Sequence, residues 1–271
     1  MPEGRRGRVL GRRLLALWLG VWVGGCSATR PVAPRPPVSL PSVAALEAAL
    51  DARRAAIGSL RALAHLRYRD GDESVSSRDA IVVARPDRVR VEVLSLLGAV
   101  FLLVADNGSM TAYAHAENTL YRGDATPQNL QRYIRLGLPV PEIVDVVLGT
   151  PPVRAARDAV VGFDPAAGAI ALRRDLTAGS QIIWVSEASL PLAAEERTAD
   201  GAVAWRATFS DYEDHGGVWV ATHIGIDVPP WAQSLEISLR DVELNPALDQ
   251  AIFAVQVPHG SKVVDLQRVA N

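Results

Sequence analysis

Asp211, Glu213, Asp214 and His215 stand close together in this chain of 271 residues. Three carboxylates and an imidazole so close together could hold a metal ion. They run into Gly216-Gly217, however, and that pattern fits a solvated hairpin turn better. The five histidines are His65, His115, His215, His223 and His259, and none has a second histidine four residues on or belongs to a ligand-type cluster. There is no G-x-S-x-G nucleophile elbow, no P-loop and no G-x-G-x-x-G. The reading is therefore a non-enzyme, with no catalytic residue, no metal and no cofactor. Trp184, Trp205 and Trp219 could form a sugar platform, but at strand spacing they fit core or interface packing better.

The remaining reactive group is the thiol of Cys26, the only cysteine. Arg5, Arg6, Arg8, Arg12 and Arg13 precede a short apolar run, Leu14 to Val23. Ten helical residues span about 15 Å, half a bilayer core, so this is an export signal and not a membrane span. It ends Val23-Gly24-Gly25-Cys26. Small residues before a lone cysteine resemble a bacterial lipobox, in which the signal (residues 1–25) is removed and Cys26 is lipidated. The alternative is an ordinary cleavage site with an incidental cysteine. A single cysteine excludes a disulfide within the chain and any thiolate metal cluster. Each buried CH₂ of an acyl chain contributes roughly 0.8 kcal/mol, so two or more chains anchor stably. An Asp after the lipidated cysteine favours retention in the inner membrane. Here the residue is Ser27, which points by resemblance to the periplasmic face of the outer membrane.

Residues 26–41 carry Pro31, Pro34, Pro36, Pro37 and Pro41, an extended and semi-rigid tether. A PxxP ligand is the alternative. Residues 42–271 are enough for one domain with a substantial core. Losing residues 1–25 removes five Arg and one Glu, so the formal charge moves from −2 to −6. An acidic domain argues against nucleic acid as a partner.

The elements read as follows. Ser42 to Arg61 predicts a helix capped by Ser42, with Leu46, Leu50, Arg53, Ile57 and Leu60 in a stripe. Such a helix lies against a sheet, or else on a membrane. Strands follow in close order with turns every 8–12 residues, the signature of an antiparallel meander. Val89, Val91 and Val93 alternate with Arg88, Arg90 and Glu92, as in a half-buried strand. The run from Ala99 to Ala105 is apolar throughout. Between these two strands stands Ser95-Leu96-Leu97-Gly98, although turns favour Gly, Asn, Asp and Ser. The two leucines either fold back onto the core or face something apolar outside. Thr126-Pro127 opens a short helix with Leu130, Tyr133 and Ile134 on one face. Gly137 breaks it, Glu142 to Leu148 form another, and Gly149 with Pro151 and Pro152 closes that one. About eleven strands and three helices are expected. A long antiparallel sheet must curl. The expected fold is mainly β with α: an incomplete, half-open antiparallel barrel with a helical lid or plug and an apolar cavity suited to acyl chains.

The element order, the strand from Arg88 to Leu94, the link Leu96-Leu97-Gly98, and Leu138-Pro139-Val140-Pro141 followed by Leu148-Gly149-Thr150-Pro151 resemble LolB, the outer-membrane lipoprotein receptor of the LolA/LolB lipoprotein-localisation superfamily. The likeness covers about residues 45 to 245. The tail, Asn245-Pro246-Ala247-Leu248-Asp249 through Phe253 and Val257-Pro258-His259-Gly260, is more similar to the ending of LolA. The resemblance implies a membrane-anchored monomer that accepts acylated lipoprotein cargo from a soluble LolA-like periplasmic carrier and inserts it into the outer membrane. It also implies that Leu97, with Leu96 beside it, is the membrane-insertion loop. Another lipid or glycolipid cargo, or a structural envelope role, remains open.

Overall fold

The structure, a computed structural model, describes residues 39–134, 136–256 and 258–266. The expected signal segment, Cys26 and the tether up to residue 38 lie outside the described residues.

Helix α1 (Val43–Ala56) leads into β1 (Ser59–Asp70), β2 (Glu73–Ala84), β3 (Arg88–Ser95), β4 (Gly98–Asp106), β5 (Ser109–Ala114) and β6 (Thr119–Asp124). Helices α2 (Pro127–Ile134) and α3 (Val140–Val147) interrupt the meander. It resumes as β7 (Asp158–Asp164), β8 (Ala169–Leu176), β9 (Gly179–Val185), β10 (Pro191–Arg197), β11 (Val203–Asp214), β12 (Trp219–Val228) and β13 (Gln233–Leu244), and β14 (Lys262–Asp265) follows. All fourteen strands form one sheet in the order β14-β6-β5-β4-β3-β2-β1-β13-β12-β11-β10-β9-β8-β7. Its edge strands, β14 and β7, do not pair with each other, so the barrel is half open. The expected fold class stands.

Alternation sets what each face carries. On the concave face, Leu60, Ala62 and Ala64 of β1 stand beside Val83, Ile81 and Asp79 of β2, and Val89, Val91 and Val93 of β3 stand beside Ala105, Leu103 and Phe101 of β4. The main core gathers these residues, apart from Asp79 and Val93, with Leu46 and Leu50 of α1, Leu130 of α2, and Ile143, Val144 and Val147 of α3. The convex face is covered locally. Phe253 of the tail packs on Val82, Ala84, Leu102, Val104, Tyr113 and Leu120. The Arg88 guanidinium lies 5.0 Å from the Phe253 ring centre, and Arg90 Nη1 donates to the Ile252 carbonyl at 2.7 Å. This tail explains why β4 is apolar on both faces: each face has a cover.

Helix starts follow the sequence. The Ala45 amide donates to Ser42 Oγ at 3.2 Å, and the Asn129 amide donates to Thr126 Oγ1 at 3.2 Å. Gly149, with φ +65°, lies just past the end of α3 in the left-handed region that favours glycine.

Three details differ from expectation. The first helix ends at Ala56 and not at Arg61. Asn245, at the end of β13, stops it: its Nδ2 donates to the Ala56 carbonyl at 2.8 Å, while its Oδ1 accepts from the amides of Gly58 (2.9 Å) and Ser59 (3.1 Å). Ile57 and Leu60 are buried all the same, as a helix end and a strand residue. The sheet has fourteen strands where about eleven were expected. Ala193-Ala194-Glu195-Glu196 carries no strand pattern, yet it forms β10 between β9 and β11, with the buried Glu195 paired to Arg197 at 2.6 Å. Finally, the meander is not wholly antiparallel, because β14 pairs with β6 in parallel.

Candidate functional site

Leu96 and Leu97 form the two-residue tip between β3 and β4, where Ser95 pairs with Gly98. The turn is held by its own polar groups. Ser95 Oγ donates to the Gly98 carbonyl at 2.8 Å and accepts from the Leu97 amide at 3.2 Å. Gly98 has φ +113°, which a side chain there would oppose. Neither leucine folds back: Leu96 is 93% exposed and Leu97 100% exposed. Val100 and Leu63 are also exposed.

Beneath α2 the concave face leaves a cavity of about 260 Å³, bounded by Leu66, Val91, Val93, Leu103, Ile134 and Leu235. A second space of about 70 Å³ adjoins it through shared walls and reaches Ile81, Val89, Leu130, Ile143 and Val147. Tyr68, Glu73, Val75, Phe101 and Tyr133 also line the larger space. Tyr133 stacks on Phe101 with ring centres 5.7 Å apart and meets Tyr121 at the same distance. Burial pushes the Tyr133 phenol up to about 12, so it stays neutral at physiological pH. The register places this mouth. Tyr68 pairs with Val75 and Val93 with Phe101, each pair close to a hairpin tip. The cavity therefore opens at the rim that displays Leu96 and Leu97.

The opposite rim, where α1 and α3 meet the turn from β2 to β3, is fastened by charge. Arg85 binds Asp145 of α3 in an ion pair, donates from Nε to the Ile57 carbonyl at 2.9 Å, and reaches Thr150 Oγ1 at 2.6 Å. Arg54 of α1 pairs with the same carboxylate. Arg53 Nε donates to the Gly149 carbonyl at 3.3 Å, and its guanidinium lies 5.4 Å from the centre of the Tyr212 ring. Arg154 joins Glu142 of α3 (2.8 Å) to Glu196 (3.2 Å), and Arg174 pairs with Glu47 of α1. Burial pushes the Glu142 carboxyl up, and Arg154 opposes that shift. Sequence reading did not find this cluster, because its members come from α1, the β2–β3 turn, α3, the segment after it, and strands β8, β10 and β11.

The other expected groups do not converge. Glu213 and Asp214 end β11, and Asp214 Oδ1 accepts from the Gly217 amide at 2.7 Å, as in a hairpin turn. Among the described residues no three His, Cys, Asp or Glu side chains stand close enough to hold a metal. Trp184 is buried with Ala169, Ile182 and Ala193 on the convex side, while Trp205 belongs to the main core and Trp219 is exposed. Trp184 and Trp205 thus lie in different clusters and build no common platform.

No protein-family model and no curated protein matches the chain in sequence. Solved structures do match in shape. A DUF1329 family protein from Desulfovibrio piger is 15% identical with a TM-score of 0.53, covering 77% of this chain and 94% of its own. A domain from Vibrio parahaemolyticus assigned to outer-membrane lipoprotein sorting is 14% identical with a TM-score of 0.50, covering 77% and 95%. A LolA superfamily protein from Nitrosomonas europaea is 13% identical with a TM-score of 0.50, covering 78% and 97%. At such identities the likeness establishes a fold: the chain has the LolA/LolB-like half-barrel with its helical lid.

Proposed function

We propose that this protein is an envelope lipoprotein, anchored by acyl chains on Cys26, that takes acyl chains of lipoprotein cargo into its cavity and delivers them to the outer membrane. Residues 1–25 are its signal, 26–41 its tether and 42–271 its binding domain. The cargo comes from a soluble LolA-like periplasmic carrier and passes between apolar sites with no covalent chemistry. One observation carries the reading most: two fully displayed leucines share a rim with the mouth of an apolar cavity. Burying one leucine contributes roughly 1.5–3 kcal/mol, enough to bring the mouth to a bilayer and far less than the acylated Cys26 supplies. A fold shared with lipoprotein-sorting proteins supports the same reading.

The test is transfer. The lipidated full-length protein in vesicles should accept a radiolabelled lipoprotein from a LolA-like carrier, and cargo should become resistant to extraction with carbonate. Cys26→Ala should leave the protein unbound to vesicles. Binding of acyl lipids without acceptance of lipoprotein would point instead to a lipid or glycolipid cargo. A protein isolated from envelope with no lipid in its cavity, and inactive in transfer, would end the proposal.

A further inference from the structure

One side chain in the cavity is out of place among its neighbours. Asp79 lies in the middle of β2, and the alternation that points Ile81 and Val83 inward also points Asp79 inward, beside Ala64 of β1 and Val93 of β3. It is 1% exposed and lines the larger cavity. Ser77 Oγ donates to its Oδ2 at 2.7 Å. Its Oδ1 is buried and meets no hydrogen-bond donor. A buried carboxyl oxygen without a partner is costly, and such groups need a reason. The lining residues of both cavity spaces include a second acid, Glu73, at the mouth, and no Lys or Arg. The bases nearest in sequence, Arg78 and Arg90, alternate to the outer face.

We infer that Asp79 is a specificity-determining residue: it admits acyl chains joined through a neutral ester or amide and excludes free fatty acids. This rests on the lipid-binding reading above and names the linkage that the cavity accepts. Ser77 Oγ holds Oδ2 and leaves Oδ1 without a donor; an amide N–H can supply one, and an ester link, though it supplies none, brings no second charge to the wall. A free fatty acid would instead set a second carboxylate against Asp79 and Glu73, with no cation inside to offset the repulsion. Burial pushes the Asp79 carboxyl up from its ordinary range, and Ser77 and His65, the latter on the outer face of β1, oppose that shift.

Two probes test this on the full-length protein held in lipid discs: a photoreactive palmitic acid carrying a mid-chain diazirine, and its methyl ester. After illumination, the labelled peptides from β2, β3 and α2 are counted by mass spectrometry. The wild type should be labelled by the ester at least about tenfold more than by the acid. Asp79→Asn, which keeps size and shape, should bring the two within about twofold of each other by raising acid labelling, and Asp79→Leu should do the same. Glu73→Gln, at the solvent-facing mouth, should change the ratio less. Equal labelling of wild type by both probes overturns the inference, as does a preference for the ester that survives in Asp79→Asn. Labelling of the cavity by neither probe overturns the acyl-binding reading itself, and the inference with it.

Discussion

The two rims of the half-barrel are built by different physics. At the rim where α1 and α3 meet the sheet, Arg85 and Arg54 converge on one buried carboxylate, and Arg154 ties Glu142 of α3 to Glu196 of β10. At the other rim, α2 rests on the sheet through Leu130, Ile134 and the Tyr133–Phe101 stack, with the cavity beneath it. Buried charge pairs fix one arrangement, because a misplaced partner leaves an uncompensated charge. Apolar contacts are non-directional and tolerate exchange of one apolar partner for another. The difference teaches which end can give way: another apolar group can replace the contacts of α2, but nothing apolar can replace Asp145.

The largest effect should come from the fastened rim. Asp145→Ala leaves the largely buried Arg85 without its carboxylate and removes the partner of the more exposed Arg54, and should cost about 3 kcal/mol in equilibrium denaturation. A loss below about 1 kcal/mol would break the comparison, because both rims would then be equally soft.

At the open rim, Tyr133→Ala removes a half-buried ring. It should cost about 1–2 kcal/mol, below the 3–5 kcal/mol of a fully buried aromatic. It should also speed the release of bound acyl chains, read as dissociation of a fluorescent fatty ester. Unchanged release would mean that α2 does not close the cavity.

Asp79 sharpens the contrast through pH. Burial, with Ser77 and His65 opposing it, holds its carboxyl above the ordinary range, so between the unfolded and the raised folded value the folded state binds the extra proton. Stability from this group is therefore present below the unfolded value and is lost as pH rises through the folded one. Asp79→Asn removes this loss. Melting temperatures from pH 4 to 8 should show the variant gaining on the wild type as pH rises; a constant gap would contradict the shift.

The smallest effect on stability belongs to the hairpin tip. Leu97→Glu should change unfolding free energy by no more than about 0.5 kcal/mol, since an exposed site loses no packing. It should still slow cargo delivery to vesicles, because a carboxylate resists entering hydrocarbon. A large fall in stability, or undiminished delivery, would remove the tip from the mechanism.

Much of this was legible before any coordinates. The alternation from Arg88 to Leu94 predicts β3 and its inward face, and Ser42 and Thr126 mark two helix starts within a residue of where they fall. Leu96 and Leu97 stand out as leucines in a turn, and the turn is where they are found. Whether they face inward or outward was left open by the residues, because that depends on the local hydrogen bonds of Ser95 and on what lies beneath the hairpin. Asp79 gave no signal at all: one aspartate in a strand of mixed composition looks like any solvated residue until its neighbours are known. The stop at Ala56 was equally hidden, since Asn245, which caps it, is 189 residues away.

The sequence by itself determined the period of each element, its start signals and the curled meander, because these follow from the chemistry of residues a few positions apart. Only the tertiary structure decided which rim is fastened and which is open. Arg54, Arg85 and Asp145 are far apart along the chain, and a charge pair, unlike a helix or strand period, leaves no local pattern. This one exists only because the fold brings the three charges together.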